Sequence, residues 1–209
     1  MDPRAHWQKV YKTRKPTEVS WYEPRAALSL DMIRRVAPDR SAAVIDVGGG
    51  ASTLVDGLLA DGYGHVTVLD VSGAALAEAS ARLAAEVSRV TWLEANVLDT
   101  ALPASAYDVW HDRAVFHFLT EASHRKRYVE QVRASVRLGG HVLVATFAPD
   151  GPAKCSGLPV ARYAPQELHG QFGSDFQLVV SVRQEHRTPA GAIQPFVYCL
   201  CRVAGRRSG

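Results

Sequence analysis

The chain has 209 residues, 47% hydrophobic and 22% charged, a composition ordinary for a soluble globular protein with a sizeable core in one large domain or two very small ones. A formal net charge of +3 is too small to argue for a nucleic-acid partner, and no apolar run approaches the length of a membrane span. The cysteines Cys155, Cys199 and Cys201 are an odd count in a long chain and imply no disulfide framework. With no further Cys or His pair at ligand spacing beside them, no metal and a reducing, cytoplasmic setting are expected.

The first 40 residues interleave His6, Trp7, Tyr11, Trp21 and Tyr22 with Lys9, Lys12, Arg14 and Lys15, and hold no signal-peptide core. Leu28, Met32, Ile33 and Val36 then fall at helical spacing before Pro38. This predicts an N-terminal arm or lid over 1–40 with one helix, packed on a domain spanning 41–204. In that domain strands are predicted at 42–47, 65–69, 89–94, 107–111 and 141–147. Between them, Leu54, Leu58 and Leu59 mark one helix ending near Gly62, and an alanine-rich helix covers 74–87. Tyr128, Val132 and Val136 recur every four residues along another, closed by Gly139-Gly140, with Arg125, Lys126, Arg127 and Arg133 on its solvated face. After a Gly/Pro-rich loop and a short helix at 165–172, strands at 176–183 and 195–203 follow without a helix between them and should pair antiparallel. The predicted fold is α/β: a Rossmann-like, seven-stranded, mostly parallel sheet with a C-terminal antiparallel hairpin and helices on both faces. Residues 205–209 read as a disordered tail.

Ligands of an open parallel sheet lie beyond the carboxyl ends of its strands. There the first strand runs through Asp46 into Gly48-Gly49-Gly50, the second ends at Asp70-Val71, and Asn96-Val97 follow the third. Glycines let the backbone approach a ligand closely. Asp46 suits an amine, Asp70 a ribose diol, and Asn96 with the Val97 amide an adenine edge. S-adenosylmethionine (SAM), with S-adenosylhomocysteine (SAH) as product, carries all three groups. A nicotinamide dinucleotide fits poorly: Thr53 stands where G-x-G-x-x-G needs its last glycine, and Asp46 would face a pyrophosphate. A structural turn without a ligand is the plain alternative.

Asp46-Val47-Gly48-Gly49-Gly50, Asp70 and Asn96 together resemble the motif series of class I SAM-dependent methyltransferases over residues 40–203, with Ser52 for the last motif glycine and Asn96 where many members have Asp. Asp112-Arg113-Ala114 after the fourth strand, and Gly157-Leu158-Pro159-Val160 before the helix that follows, resemble the thiopurine, thiol and tellurite-type small-molecule methyltransferases, whose aromatic N-terminal segment Trp7 and Trp21 also match. The resemblance implies methyl transfer by in-line displacement to a small thiol or chalcogen/metalloid-like nucleophile. The Trp21-Tyr22 pair also resembles seven-strand protein lysine methyltransferases, although Asp112-Arg113-Ala114 departs from them. A non-catalytic Rossmann-like binding module is a third reading. The expected partner is a small molecule, with a protein substrate as the alternative; neither nucleic acid nor membrane is expected, and the chain is expected to be a monomer or weak homodimer.

A sulfonium-borne methyl group is already activated, so catalysis is mainly alignment, with a base needed only for a protonated nucleophile. The candidate catalytic residues are His111, Asp112 and Arg113. Arg113 would bind an anionic acceptor or lower a thiol pKa, Asp112 would orient it, and His111 would act as a base or hold the methionine end of the cofactor. Alternatively Asp112 and Arg113 form a structural ion pair. His117 reads as a core or rim histidine. Trp21, Tyr22 and Tyr11 are expected to cover the crevice, or else to staple the N-terminal helix; Trp21 is also counted with the cofactor site. Cys155 either meets a thiophilic substrate or is incidental.

Overall fold

The computed structural model describes residues 2–205. Strands β1 (Ala43–Val47), β2 (His65–Asp70), β3 (Val90–Glu94), β4 (Tyr107–Arg113) and β5 (Val136–Phe147) are parallel, and β8 (Phe176–Arg187) and β9 (Ile193–Val203) complete the sheet in the order β3-β2-β1-β4-β5-β9-β8. Strand β9 runs antiparallel to both β5 and β8. Strands β6 (Lys154–Cys155) and β7 (Leu158–Pro159) form a separate ribbon. The helices are α1 (Pro3–Thr13), α2 (Ala27–Val36), α3 (Leu54–Ala60), α4 (Gly73–Leu83), α5 (Ala122–Ser135) and α6 (Pro165–Gly170). This is the predicted architecture. Strand order reverses between β1 and β4, so the ligand crevice opens beyond those two strand ends.

Strand alternation divides the core into two layers. Val44, Val109, Leu143 and Ala145 pack with α2 and α3 through Leu30, Ile33, Leu54 and Leu58. Ile45, Trp110, Val142 and Val144 face the opposite way, against Tyr128 and Val132 of α5 and Leu168 of α6. Neighbouring residues at the end of β4 therefore point to opposite sides of the sheet.

Four local expectations change. The arm has two α-helices, not one. Helix α1 buries none of its residues, so no apolar stripe marks it; Asp2 caps its N-terminus through the Arg4 N–H, and Pro3 starts it. Helix α5 stops at Ser135 rather than at the glycine pair, because Val136 leaves the helix to pair with Tyr107. Gly139 and Gly140 lie within β5, where a Cβ on Gly140 would come 2.9 Å from the Asp108 carbonyl oxygen. Helix α4 ends at Leu83 and continues as a 3-10 turn over Ala84–Arg89. The predicted tail lies, apart from Gly205, outside the described residues. Among the described residues no helix is long and apolar enough to cross a membrane.

Candidate active site

The turn after β1 is held against β2: the Gly48 N–H donates to the Leu69 carbonyl at 2.7 Å and the Gly49 N–H to the same oxygen at 3.3 Å. Two carboxylates press on this turn. A Cβ at Gly49 would lie 2.5 Å from Asp46 Oδ2, and one at Gly50, where φ is +39°, would lie 2.7 Å from Asp70 Oδ2. Glycine is thus required both by the backbone and by the acids it must pass.

Asp46 is 2% exposed. Its Oδ1 accepts from His111 Nδ1 at 2.7 Å, while Oδ2 is buried with no partner and the residue lines the cavity beneath the arm. His111 Nε2 meets Ser29 Oγ of α2 at 2.9 Å. Asp70 accepts the Ser72 N–H at 2.8 Å, and burial, reinforced by the charge of Asp46, pushes its carboxyl up to about 7. Beyond it a second cavity is lined by Val71, Glu94, Asn96 and Asp99, with Asp2 and Arg4 of α1 closing it. Asn96 lies where an adenine-edge group was expected, but its amide is turned into its own loop: Nδ2 donates to Asp99 at 2.7 Å and Oδ1 accepts from the Leu98 N–H at 3.0 Å. The Val97 side chain is buried in the core.

The arm closes the crevice with aromatic rings. Trp21 lines the first cavity, and its Nε1 donates to the Tyr11 hydroxyl at 3.1 Å. Trp7 meets Trp21 edge-on at 5.5 Å and Phe118 at 5.3 Å between ring centres. Gln8 fixes α1 to α4 by accepting from the Ser72 hydroxyl and the Ala74 N–H.

The candidate catalytic residues at the end of β4 are engaged with other protein groups. Asp112 is fully buried on the far side of the sheet. It accepts from the Tyr128 hydroxyl at 2.6 Å and from the Val115 and Phe116 N–H groups at 2.9 and 3.0 Å, and burial pushes its carboxyl up to about 6. It neither orients nor pairs with Arg113, because the two point to opposite faces. Arg113 lines the first cavity, and three of its five N–H donors are engaged by the protein: Nε on the Tyr198 hydroxyl at 2.9 Å, Nη1 on the Trp21 carbonyl at 2.9 Å and Nη2 on Glu23 at 3.2 Å, with the guanidinium 4.4 Å from the Phe196 ring centre. Although burial opposes ionisation of Glu23, His186 and Arg113 hold its carboxyl below its ordinary value. Arg113 thereby ties the arm to β9 through Trp21, Glu23 and Tyr198. Asp112→Ala is expected to cost about 3 kcal/mol, since it strips a buried hydroxyl and two N–H groups of their acceptor. Urea unfolding measures this, and Asp112→Asn should lose less because it still offers Tyr128 an oxygen.

His117 is a core residue, packed on Phe118 and Phe147, and burial drives it down to about 3. Cys155 is buried, with its thiol pushed up to about 12, which disfavours the reactive thiolate a thiophilic contact would need. Cys199 and Cys201 share one face of β9 with sulfurs 3.4 Å apart. Sequence reasoning missed Ser29, Glu23, His186 and Tyr198. Each reaches the site by folding over long sequence separations, and no local spacing announces it.

A family model described as a methyltransferase domain matches residues 45–142, a segment that contains the glycine turn, Asp70 and the end of β4. No curated protein matches the chain. Among solved structures, one concerned with conversion of a disulfide bond into a thioacetal group during echinomycin biosynthesis aligns at 17% identity over 99% of this chain and 95% of that one, with a TM-score of 0.76. The N-methyltransferase NodS from Bradyrhizobium japonicum, in complex with SAH, aligns at 14% identity over 97% and 99% with a TM-score of 0.73. The 1,6-didemethyltoxoflavin-N1-methyltransferase of Burkholderia thailandensis aligns at 18% identity over 96% and 83% with a TM-score of 0.70. These likenesses establish the fold. Together with the domain match over residues 45–142, they make the chain similar to methyltransferases. The residues present would fit SAM, the cofactor the sequence motifs imply: a buried acceptor without a partner, Asp46 Oδ2, lies beside the glycine turn, whose backbone carries no Cβ atoms.

Proposed function

We propose that the chain transfers the SAM methyl group to a small-molecule nucleophile within the aromatic enclosure lined by Tyr11, Trp21 and Tyr22, with Trp7 and Phe118 packed behind Trp21. The observation that carries this reading is the arm itself, which covers the crevice with rings and leaves the approach to the reacting centre walled by the chain's own residues. In the cofactor site, Asp46 takes the ammonium group and Asp70 the ribose hydroxyls. Gly48, Gly49 and Gly50 admit the methionine moiety, and Trp21 covers it. The backbone around Val71, Asn96 and Val97 borders the adenine. SAM supplies an activated methyl; the chain aligns the acceptor and excludes water.

A small thiol or chalcogen-type acceptor was expected to lean on Arg113. With three donors of that guanidinium already committed to the arm and to Tyr198, its charge is largely answered within the protein, which favours an acceptor that is uncharged as it binds. Two of the structural relatives are N-methyltransferases, one of them with 1,6-didemethyltoxoflavin bound, so small heteroaromatic amines belong in the test beside thiols. The test is SAH formation from SAM with a panel of neutral thiols, heteroaromatic amines and metalloid oxyanions. Turnover of neutral members and none of oxyanions is expected. Methyl transfer to protein bands alone in a cell extract would refute the small-molecule reading.

A further inference from the structure

We infer that His111 is a positioning residue that aims Asp46 at the cofactor's ammonium group, in place of the base expected from its location after β4. This rests on the reading of Asp46 as the ammonium partner. His111 is buried between an acid and a hydroxyl, with Asp46 Oδ1 at 2.7 Å from Nδ1 and Ser29 Oγ at 2.9 Å from Nε2. An ionised Asp46 can only accept, so Nδ1 carries the proton. A neutral ring then presents a bare Nε2, and Ser29 must donate to it. The carboxylate thereby selects the tautomer, the hydroxyl on α2 holds the other side of the ring, and the ring in turn fixes the carboxylate. With Oδ1 occupied, the rotation of Asp46 is set, and Oδ2 is left unpartnered beside Gly49, which lines the same cavity as Asp46 and His111. Both ring nitrogens are already engaged, so His111 has no vacant nitrogen with which to take a proton from an acceptor. A ligand-contacting group held by a supporting hydrogen bond is more precise than one free to rotate.

The experiment measures binding of SAH and of its analogue lacking the α-amino group, by calorimetry, to the wild type, His111→Leu and His111→Asn. Asparagine places an amide N–H near the position of Nδ1; leucine offers none. His111→Leu should weaken SAH about tenfold, the scale of one hydrogen bond to a charged group, while His111→Asn stays within about threefold of wild type. The des-amino analogue should bind all three proteins alike. Equal weakening of both ligands by His111→Leu would make the role merely structural and overturn the inference, as would unchanged SAH affinity. Asp46→Ala separates the two levels: if it fails to weaken SAH selectively over the analogue, the ammonium reading itself falls. A measurement that needs no variant is the ¹⁵N spectrum of the imidazole in the SAH complex, where a protonated Nδ1 and bare Nε2 support the assignment and a proton on Nε2 overturns it.

Discussion

Asp70→Ala is expected to weaken SAH binding about 100-fold, which corresponds to roughly 3 kcal/mol from two hydrogen bonds to a carboxylate, less the cost of keeping that carboxylate buried. The physical reason lies in the ligand-free site. Asp70 is buried at the end of β2 and hemmed by Gly50, and its side chain accepts the Ser72 N–H. Burial and the neighbouring Asp46 raise its pKa from 3.8 to about 7. The sign of the pH effect follows. A carboxyl whose folded-state pKa is raised favours its protonated form in the fold, so its contribution to the stability of the ligand-free protein is complete below about pH 4 and is lost as pH rises through about 7. Ribose hydroxyls donate best to the ionised form. SAH affinity should therefore rise with pH up to about 7, by as much as about tenfold per unit, and level off above it. In Asp70→Ala that slope should vanish. Calorimetric titrations of both proteins between about pH 5.5 and 8.5 check the magnitude and the slope together. A wild-type affinity that falls across this range would contradict the assignment of Asp70.

Arg113→Ala is expected to release the arm and lower methyl transfer about 100-fold, with a smaller loss of SAH affinity. The guanidinium ties together the Trp21 carbonyl, Glu23 and Tyr198, and its loss leaves the half-buried Glu23 carboxylate with the His186 ring, 3.6 Å away, as its neighbour. These bonds hold the aromatic strap with on the order of 3 kcal/mol. Arg113→Lys should not restore function, because an ammonium cannot serve three divergent acceptors while lying on the Phe196 ring. Turnover of an acceptor from the panel, read beside amide hydrogen exchange over residues 14–26, distinguishes the clamp from an anion site. A clamp mutant exchanges faster throughout the strap. An anion-site mutant would lose acceptor affinity with exchange unchanged, and that would contradict the clamp.

The parallel half of the sheet and the acids at its strand ends were legible because they depend on local pattern. Val44-Ile45-Asp46-Val47 and Val66-Thr67-Val68-Leu69-Asp70 are short β-branched runs that end in a carboxylate, and each carries its own signal. Helix α1 had no such signal, because it is held by its ends and by polar links such as Gln8 to Ser72 rather than by a buried stripe. The boundary between α5 and β5 was misplaced because Val136 satisfies the helical spacing of Tyr128 and Val132 while being buried as a strand residue. The roles after β4 were hardest to read. Asp112 and Arg113 are neighbours in sequence, and adjacency suggested a pair; the pleat sends them to opposite faces. Their partners are Tyr128 on one side and Glu23, Trp21 and Tyr198 on the other, the last two lying 92 and 85 residues away from Arg113. Spacing along the chain carries no information about contacts at that separation.

The central claim is that the glycine turn and its two flanking acids form a SAM site. Titration of the intact protein with SAH by calorimetry tests it most directly. Binding with a dissociation constant on the order of 10 µM at pH 7.5, abolished or weakened about 100-fold in Asp70→Ala, is the predicted result. Absence of binding up to about 1 mM SAH, or equal affinity in the two proteins, would contradict it.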